Sequence, residues 1–207
     1  MKPTIKIDYV SDIACPWCAV GLGNLNQAMA ELSDKINFEV HFRPFELNPN
    51  MPYGGQDAIE HLTEKYGFTA EQVKANQANI RMKALEAGFV FHPEGRKRVY
   101  NTFDAHRLLY WAGKEYGLQK QAALKKELLN TYFCLAVSLD DPENLLDAVK
   151  RAGLIKVELK RHLRIMSLKK KFVMKRLLTP AQASIQFPLL SSMINIYYKE
   201  LNLPRHL

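Results

Sequence analysis

Two of the three cysteines in this 207-residue chain, Cys15 and Cys18, are separated only by Pro16 and Trp17. A C-x-x-C pair of this kind is either a redox dithiol or half of a tetrahedral zinc site, and its surroundings discriminate between them. The pair follows directly on the alternating apolar run Ile5 to Val10 and precedes the helix-like stretch Ala19 to Leu32. At such a strand-to-helix junction the first sulfur stands at a helix N-terminus. Unpaired backbone N–H groups and the positive end of the helix dipole there favour a thiolate. The thiolate is the form that attacks disulfides. Zinc would need two further ligands, and Cys134 has neither a neighbouring cysteine nor a paired histidine. The spacing favours redox chemistry, with no metal expected.

Within the motif, Cys15 is the candidate attacking thiol. Cys18, one turn inside the helix, is the candidate resolving thiol that releases a mixed disulfide. Pro16 at the first helical turn sacrifices no hydrogen bond and fixes how the chain enters the helix. Trp17 is a candidate apolar rim facing substrate, with ordinary packing as the alternative. Asp12 reads as a turn or cap residue. Cys134, between Phe133 and Leu135, reads as a small buried apolar residue.

The elements that must position these residues are legible from periodicity. Ile5 to Val10 and Ile36 to Phe45 alternate as strands, the second ended by prolines. Asn48 to Gly55 is a Pro- and Gly-rich loop. Residues 57–67, 70–88, 99–116, 120–135 and 143–152 show helical spacing, with Gly67, Gly88, Gly117 and Gly153 as the expected ends. A β-α-β unit followed by a run of helices defines an α/β half-domain with a helical insertion.

Several stretches resemble the FrnE-like branch of the DsbA family. Ser11 to Cys18, with Gly21 beyond, resembles its opening. Arg43-Pro44-Phe45-Glu46-Leu47-Asn48-Pro49 resembles the segment after its second strand. Asn101-Thr102-Phe103-Asp104-Ala105-His106-Arg107-Leu108 resembles its helical N-T-x-x-A-H-R-L motif. Asp141-Pro142-Glu143-Asn144-Leu145-Leu146, with Ala152-Gly153-Leu154, resembles the end of its insertion. The resemblance runs from about residue 4 to Leu154. It implies a thioredoxin-like fold interrupted by an all-helical insertion: residues 1–50 form the N-terminal β-α-β part and 51–154 the insertion. It also implies that Asn101, Thr102, His106 and Arg107 share one helix facing the C-x-x-C cleft. Pro16, Trp17, His106 and Asn101 are therefore the candidate substrate-contacting residues, although neither His106 nor Asn101 is assigned a chemical step.

Residues 155–207 break the pattern. The whole chain carries 29 Lys/Arg and 21 Asp/Glu, a net charge of +8. The last 53 residues hold eleven of those cations and two of the acids, a net of +9, which leaves −1 on the rest. A nucleic-acid reading of the charge rests on this segment alone. The family resemblance calls for an aspartate after Gly153-Leu154, then a helix, a G-x-x-S-V-P loop with a cis-proline, and two strands. None is written here, although Pro188 stands near the cis-proline's place. Joining the third base of each codon to the first two of the next restores much of it. Met174-Lys175 must then read Glu and Met193-Ile194 must read Asp, and Gln182 to Pro188 admits G-I-N-S-V-P. The expectation is one nucleotide missing at or beside codon 154, with the C-terminal strands lost or altered and a poorly soluble product. A lineage-specific basic tail, with an amphipathic helix around Leu159 to Leu178, is the alternative.

The expected activity is thiol-disulfide oxidoreduction through the Cys15–Cys18 dithiol on protein or low-molecular-weight disulfides. No bound cofactor is expected, and glutathione is the candidate redox partner. The chain opens directly into a strand without an apolar leader, and no apolar run approaches the roughly 18 residues of a membrane span. The expected location is the cytoplasm, with no membrane or nucleic-acid partner and a homodimer left open. The alternative function is a glutathione-dependent isomerase or kappa-class glutathione transferase. Those relatives generally carry serine at the position of Cys15 and lack a resolving thiol.

Overall fold

The computed structural model describes residues 2–154, which fall in the first of the two units into which the chain divides, residues 1–159. The displaced reading frame, Pro188 and the amphipathic stretch after Leu159 lie outside the described residues.

Strand β1 (Thr4–Ser11) pairs in parallel with β2 (Asn37–Pro44), in register from Thr4 opposite Asn37 to Ser11 opposite Pro44. Helix α1 (Pro16–Glu31) connects them, as a parallel pair requires a crossover. Both strands start and stop within one residue of the bounds expected from alternation. β2 ends at Pro44, which has no N–H to continue a ladder.

Beyond the loop that follows β2, the chain is mostly helical. α2 (Ala58–Tyr66) starts where the Asp57 carboxylate accepts from Ile59 N and Glu60 N, and ends at Gly67 with φ 70°. α3 (Ala70–Glu86) begins with a reciprocal capping box between Thr69 and Gln72. α4 (Phe103–Tyr116), α5 (Leu118–Leu129) and α6 (Pro142–Arg151) build the core of the insertion. Leu108, Leu124, Leu128, Leu145 and Val149 are each no more than 3% exposed there. Side chains of this size stabilise by roughly 1.5–3 kcal/mol each when buried.

Two elements differ from the helical periodicity. Residues 99–102 are not helical. Val99 instead pairs with Gln56, joining β3 (Gln56–Asp57) antiparallel to β4 (Arg98–Val99). Asn101 therefore precedes α4 rather than sharing it with His106. Its Oδ1 accepts from Phe103 N at 2.9 Å, and its Nδ2 donates to Met51 O at 2.9 Å. That local turn starts the helix and competes with an earlier start. The second difference follows α5, where residues Asn130–Cys134 widen into a π-helical turn with Leu135 N bonded to Asn130 O.

The insertion docks on the β-α-β part through specific polar contacts. Gln121 on α5 accepts from Phe42 N (3.2 Å) and donates to Leu109 O (3.2 Å), fastening α5 to β2 and α4. Gln27 on α1 donates to Glu86 O at the end of α3 (3.0 Å). A Cβ at Gly23 would collide with the Ala87 backbone, so glycine is what lets α1 approach α3 this closely.

Candidate active site

Cys15 is the residue capping the start of α1, in extended conformation (φ −91°, ψ 114°), with Pro16 as the first helical residue. Its carbonyl accepts from Cys18 N (3.1 Å) and Ala19 N (3.4 Å), so the pair is wound into one turn. Both thiols are free and partly exposed, and Trp17 stands partly exposed between them. The turn is anchored from below. Tyr9 on β1 donates its hydroxyl to Cys18 O at 2.7 Å, and a Cβ at Gly21 would stand only 3.0 Å from that hydroxyl.

The two thiols are electrostatically unequal. A hydrogen bond from Cys18 holds the Cys15 thiol below its usual range against the cost of burial. The Cys18 N–H and the Arg96 charge add to this, while the Asp12 charge opposes it. Donating to Cys15 pushes Cys18 strongly up, and burial and the Cys15 charge push the same way. Cys15 is thus the more acidic thiol of the pair and Cys18 the one that holds its proton more tightly.

Around the dithiol lies a ring of groups from distant parts of the chain. Asp12, 1% exposed, accepts from Ala14 N (3.2 Å) and Leu47 N (2.7 Å), and its Oδ1 is 3.3 Å from His106 Nε2. Burial alone would raise its carboxyl, but the hydrogen bond and charge of His106 and the two N–H groups outweigh it and hold it low. Burial pushes His106 down despite Asp12. A neutral imidazole donating from Nε2 to an ionised carboxylate satisfies both directions. Arg96 donates to Ala14 O at 2.6 Å, next to the dithiol. Glu46, beside Leu47, has its carboxyl raised to about 7 by burial and by the charges of Asp12 and Asp104.

Lys125 on α5 is fully buried, and its Nζ has no hydrogen-bond partner among the described residues. Burial pulls its ammonium down to about 8, against the opposing pull of Cys18, Asp12 and Cys15.

Several candidate residues thus stand where the sequence puts them, and others do not. Cys15, Pro16, Trp17 and Cys18 form one turn. His106 reaches the site from below, only 4% exposed, so it acts on Asp12 and presents no open face to a substrate. The Asn101 side chain is spent on Met51 and Phe103. Asp12, read as a turn residue, does cap its own turn but is also the hub of the buried pair. Cys134 ends the π-helical turn and is partly exposed rather than buried; burial and Glu127 push its thiol up. Arg96 and Lys125 carried no motif, and Glu46 lay in the stretch resembling the segment after the second strand with no role assigned to it. Among the described residues no group of three or more His, Cys, Asp or Glu is placed to hold a metal ion, and no helix is long and apolar enough to cross a membrane.

A dithiol split in acidity at the start of the helix between two parallel strands, set against a helical insertion, defines a thioredoxin-type redox domain. The chain belongs to the DsbA-like thioredoxin domain family, which matches residues 6–176. The match continues past Leu154, where the motifs behind the sequence resemblance end. The crystal structure of a probable DsbA oxidoreductase from Streptomyces coelicolor is similar to this chain. The two are 32% identical, with 77% of this chain and 67% of that chain covered and a TM-score of 0.67. No curated protein matches in sequence.

Proposed function

We propose that the chain is a cytoplasmic thiol-disulfide oxidoreductase of the FrnE-like branch, acting through Cys15 and Cys18. The observation that carries this reading is the placement of Cys15 at the N-cap of α1 with Cys18 one turn on, the Cys15 carbonyl accepting from Cys18 N at 3.1 Å. The Cys15 thiolate attacks one sulfur of a substrate disulfide. A Cys15–substrate bond forms, and the other substrate sulfur leaves with the electron pair and takes a proton. Cys18 then loses its proton and attacks the Cys15 sulfur. The enzyme disulfide forms and the second substrate thiolate is released, so the substrate gains two electrons and the enzyme loses two. Glutathione or another small thiol reverses the process on the enzyme. Pro16 and Trp17 form the rim over which the disulfide approaches.

The test is substitution in the full chain with a model disulfide. Cys15→Ala abolishes exchange, whereas Cys18→Ala traps a mixed disulfide that is visible as an adduct mass. Full turnover in Cys18→Ala would favour the glutathione-dependent isomerase or transferase class instead.

The reading extends to a base lost at or beside codon 154. It is supported by the residues that the shifted frame forces.

A further inference from the structure

We infer that the outer face of α3 is the surface on which two copies of this chain pair, with their α3 helices side by side and running in the same direction. The occupant is a second copy because the face is complementary to itself in that one arrangement.

α3 carries apolar residues on two opposite sides. Val73, Ile80 and Ala84 are buried and form the seam toward α1 and α2. A second seam, Ala75, Ala78, Met82 and Leu85, recurs at intervals of three, four and three, the spacing by which one helix meets another. At 3.6 residues per turn it lies on the far side of the helix from the first. Met82 is 61% exposed and Leu85 62%; Ala75 is exposed and Ala78 partly so. A helix that is apolar on both sides is ordinarily covered on both. The two alanines leave room for a partner helix to come close.

Charge selects the partner and its direction. Lys74 and Arg81 run along one flank of the outer seam, and Asn79 and Glu86 run along the other. When two copies lie parallel about a two-fold axis, each flank meets the opposite flank of its mate. Arg81 then faces Glu86 of the second copy, twice over, and Lys74 faces Asn79. In the reverse direction like flanks would meet, and Lys74 would oppose Arg81 at both ends. Arg81 makes no ion pair among the described residues. Glu86 has only the exposed Lys83 at 3.1 Å, a surface pair that leaves its carboxylate able to accept a second cation. α1 meets α3 on the opposite side, where Gly23 approaches Ala87. Pairing through the outer seam therefore leaves the Cys15–Cys18 turn open in both copies.

The experiment is sedimentation velocity on the reduced full chain over a dilution series, which resolves a discrete dimer from aggregate. The wild type moves from 23.8 kDa to twice that mass as concentration rises. Met82→Glu combined with Leu85→Glu raises the dissociation constant by about a hundredfold or more, because pairing would then bury carboxylates without partners. The circular dichroism of that variant and its rate on a model disulfide stay at the wild-type level. Arg81→Glu weakens pairing by about tenfold, and adding Glu86→Arg restores it. A wild type that remains at 23.8 kDa throughout would overturn the inference, and slow peroxide oxidation of Met82 in that monomer would assign the cover to another segment of the same chain. A dimer that survives Met82→Glu with Leu85→Glu would overturn it too, by placing the interface elsewhere. Tighter pairing in Arg81→Glu would overturn the shared direction, since only the reverse arrangement sets that position against Lys74.

Discussion

At the scale of single residues, the site is a set of charges whose states are fixed by burial, and two carboxyls respond to pH in opposite directions. Asp12 is held below its ordinary 3.8 in the fold, so its contribution is present above that value and fades as pH falls through its folded value. Glu46 is raised from 4.5 to about 7, so its contribution is full below about 4.5 and is lost as pH rises through about 7. Between about 4.5 and 7 the Glu46 carboxyl pulls the urea midpoint down as pH rises while His106, held down by burial, pulls it up, and Glu46→Gln should remove the downward part so that the midpoint rises more steeply with pH than in the wild type. An unchanged slope in the variant would place the titration elsewhere. The Cys15–Cys18 pair was legible in sequence because its chemistry is local, four consecutive residues at a strand-to-helix junction. The Asp12–His106 pair was not, because 94 residues separate its members and either alone reads as a turn or core residue. Lys125 did leave a trace. It falls in the same stripe as Leu124, Leu128 and Leu129, all fully buried, where a lysine conflicts with the pattern.

Among the elements, periodicity located both strands of the β-α-β unit and every α-helix among the described residues, and the glycines marked helix ends. It failed where two-residue strands were involved. β3 and β4 are too short to alternate, and Val99 looked like the first turn of α4 until its pairing with Gln56 claimed it. Close approach between helices was also invisible in sequence. Gly23 reads as a weak helix former, yet it is where α1 meets the end of α3, with the Ala87 Cβ 2.8 Å from the place a methyl would occupy. Gly23→Ala should therefore destabilise, by about 1–3 kcal/mol, despite the better helix propensity of alanine. Equilibrium denaturation gives the sign, and a more stable variant would show that α3 can yield at that point.

For the whole molecule, the decisive boundary is Leu154. Up to it, charge is nearly balanced; after it, the written residues carry all the net positive charge, although the family match runs on to residue 176. Sequencing the gene across codons 148–160 should recover one further base. An unchanged reading frame, with an expressed chain of the full 23.8 kDa, would make the basic segment genuine. The part already described has its own consequence in time. The ribosome makes the Cys15–Cys18 motif first, but Arg96, His106 and Lys125 emerge far later. A nascent chain that ends before residue 96 holds the Cys15–Cys18 turn without the Arg96 charge that adds to the lowering of Cys15, so the dithiol is made before the insertion that completes its electrostatics.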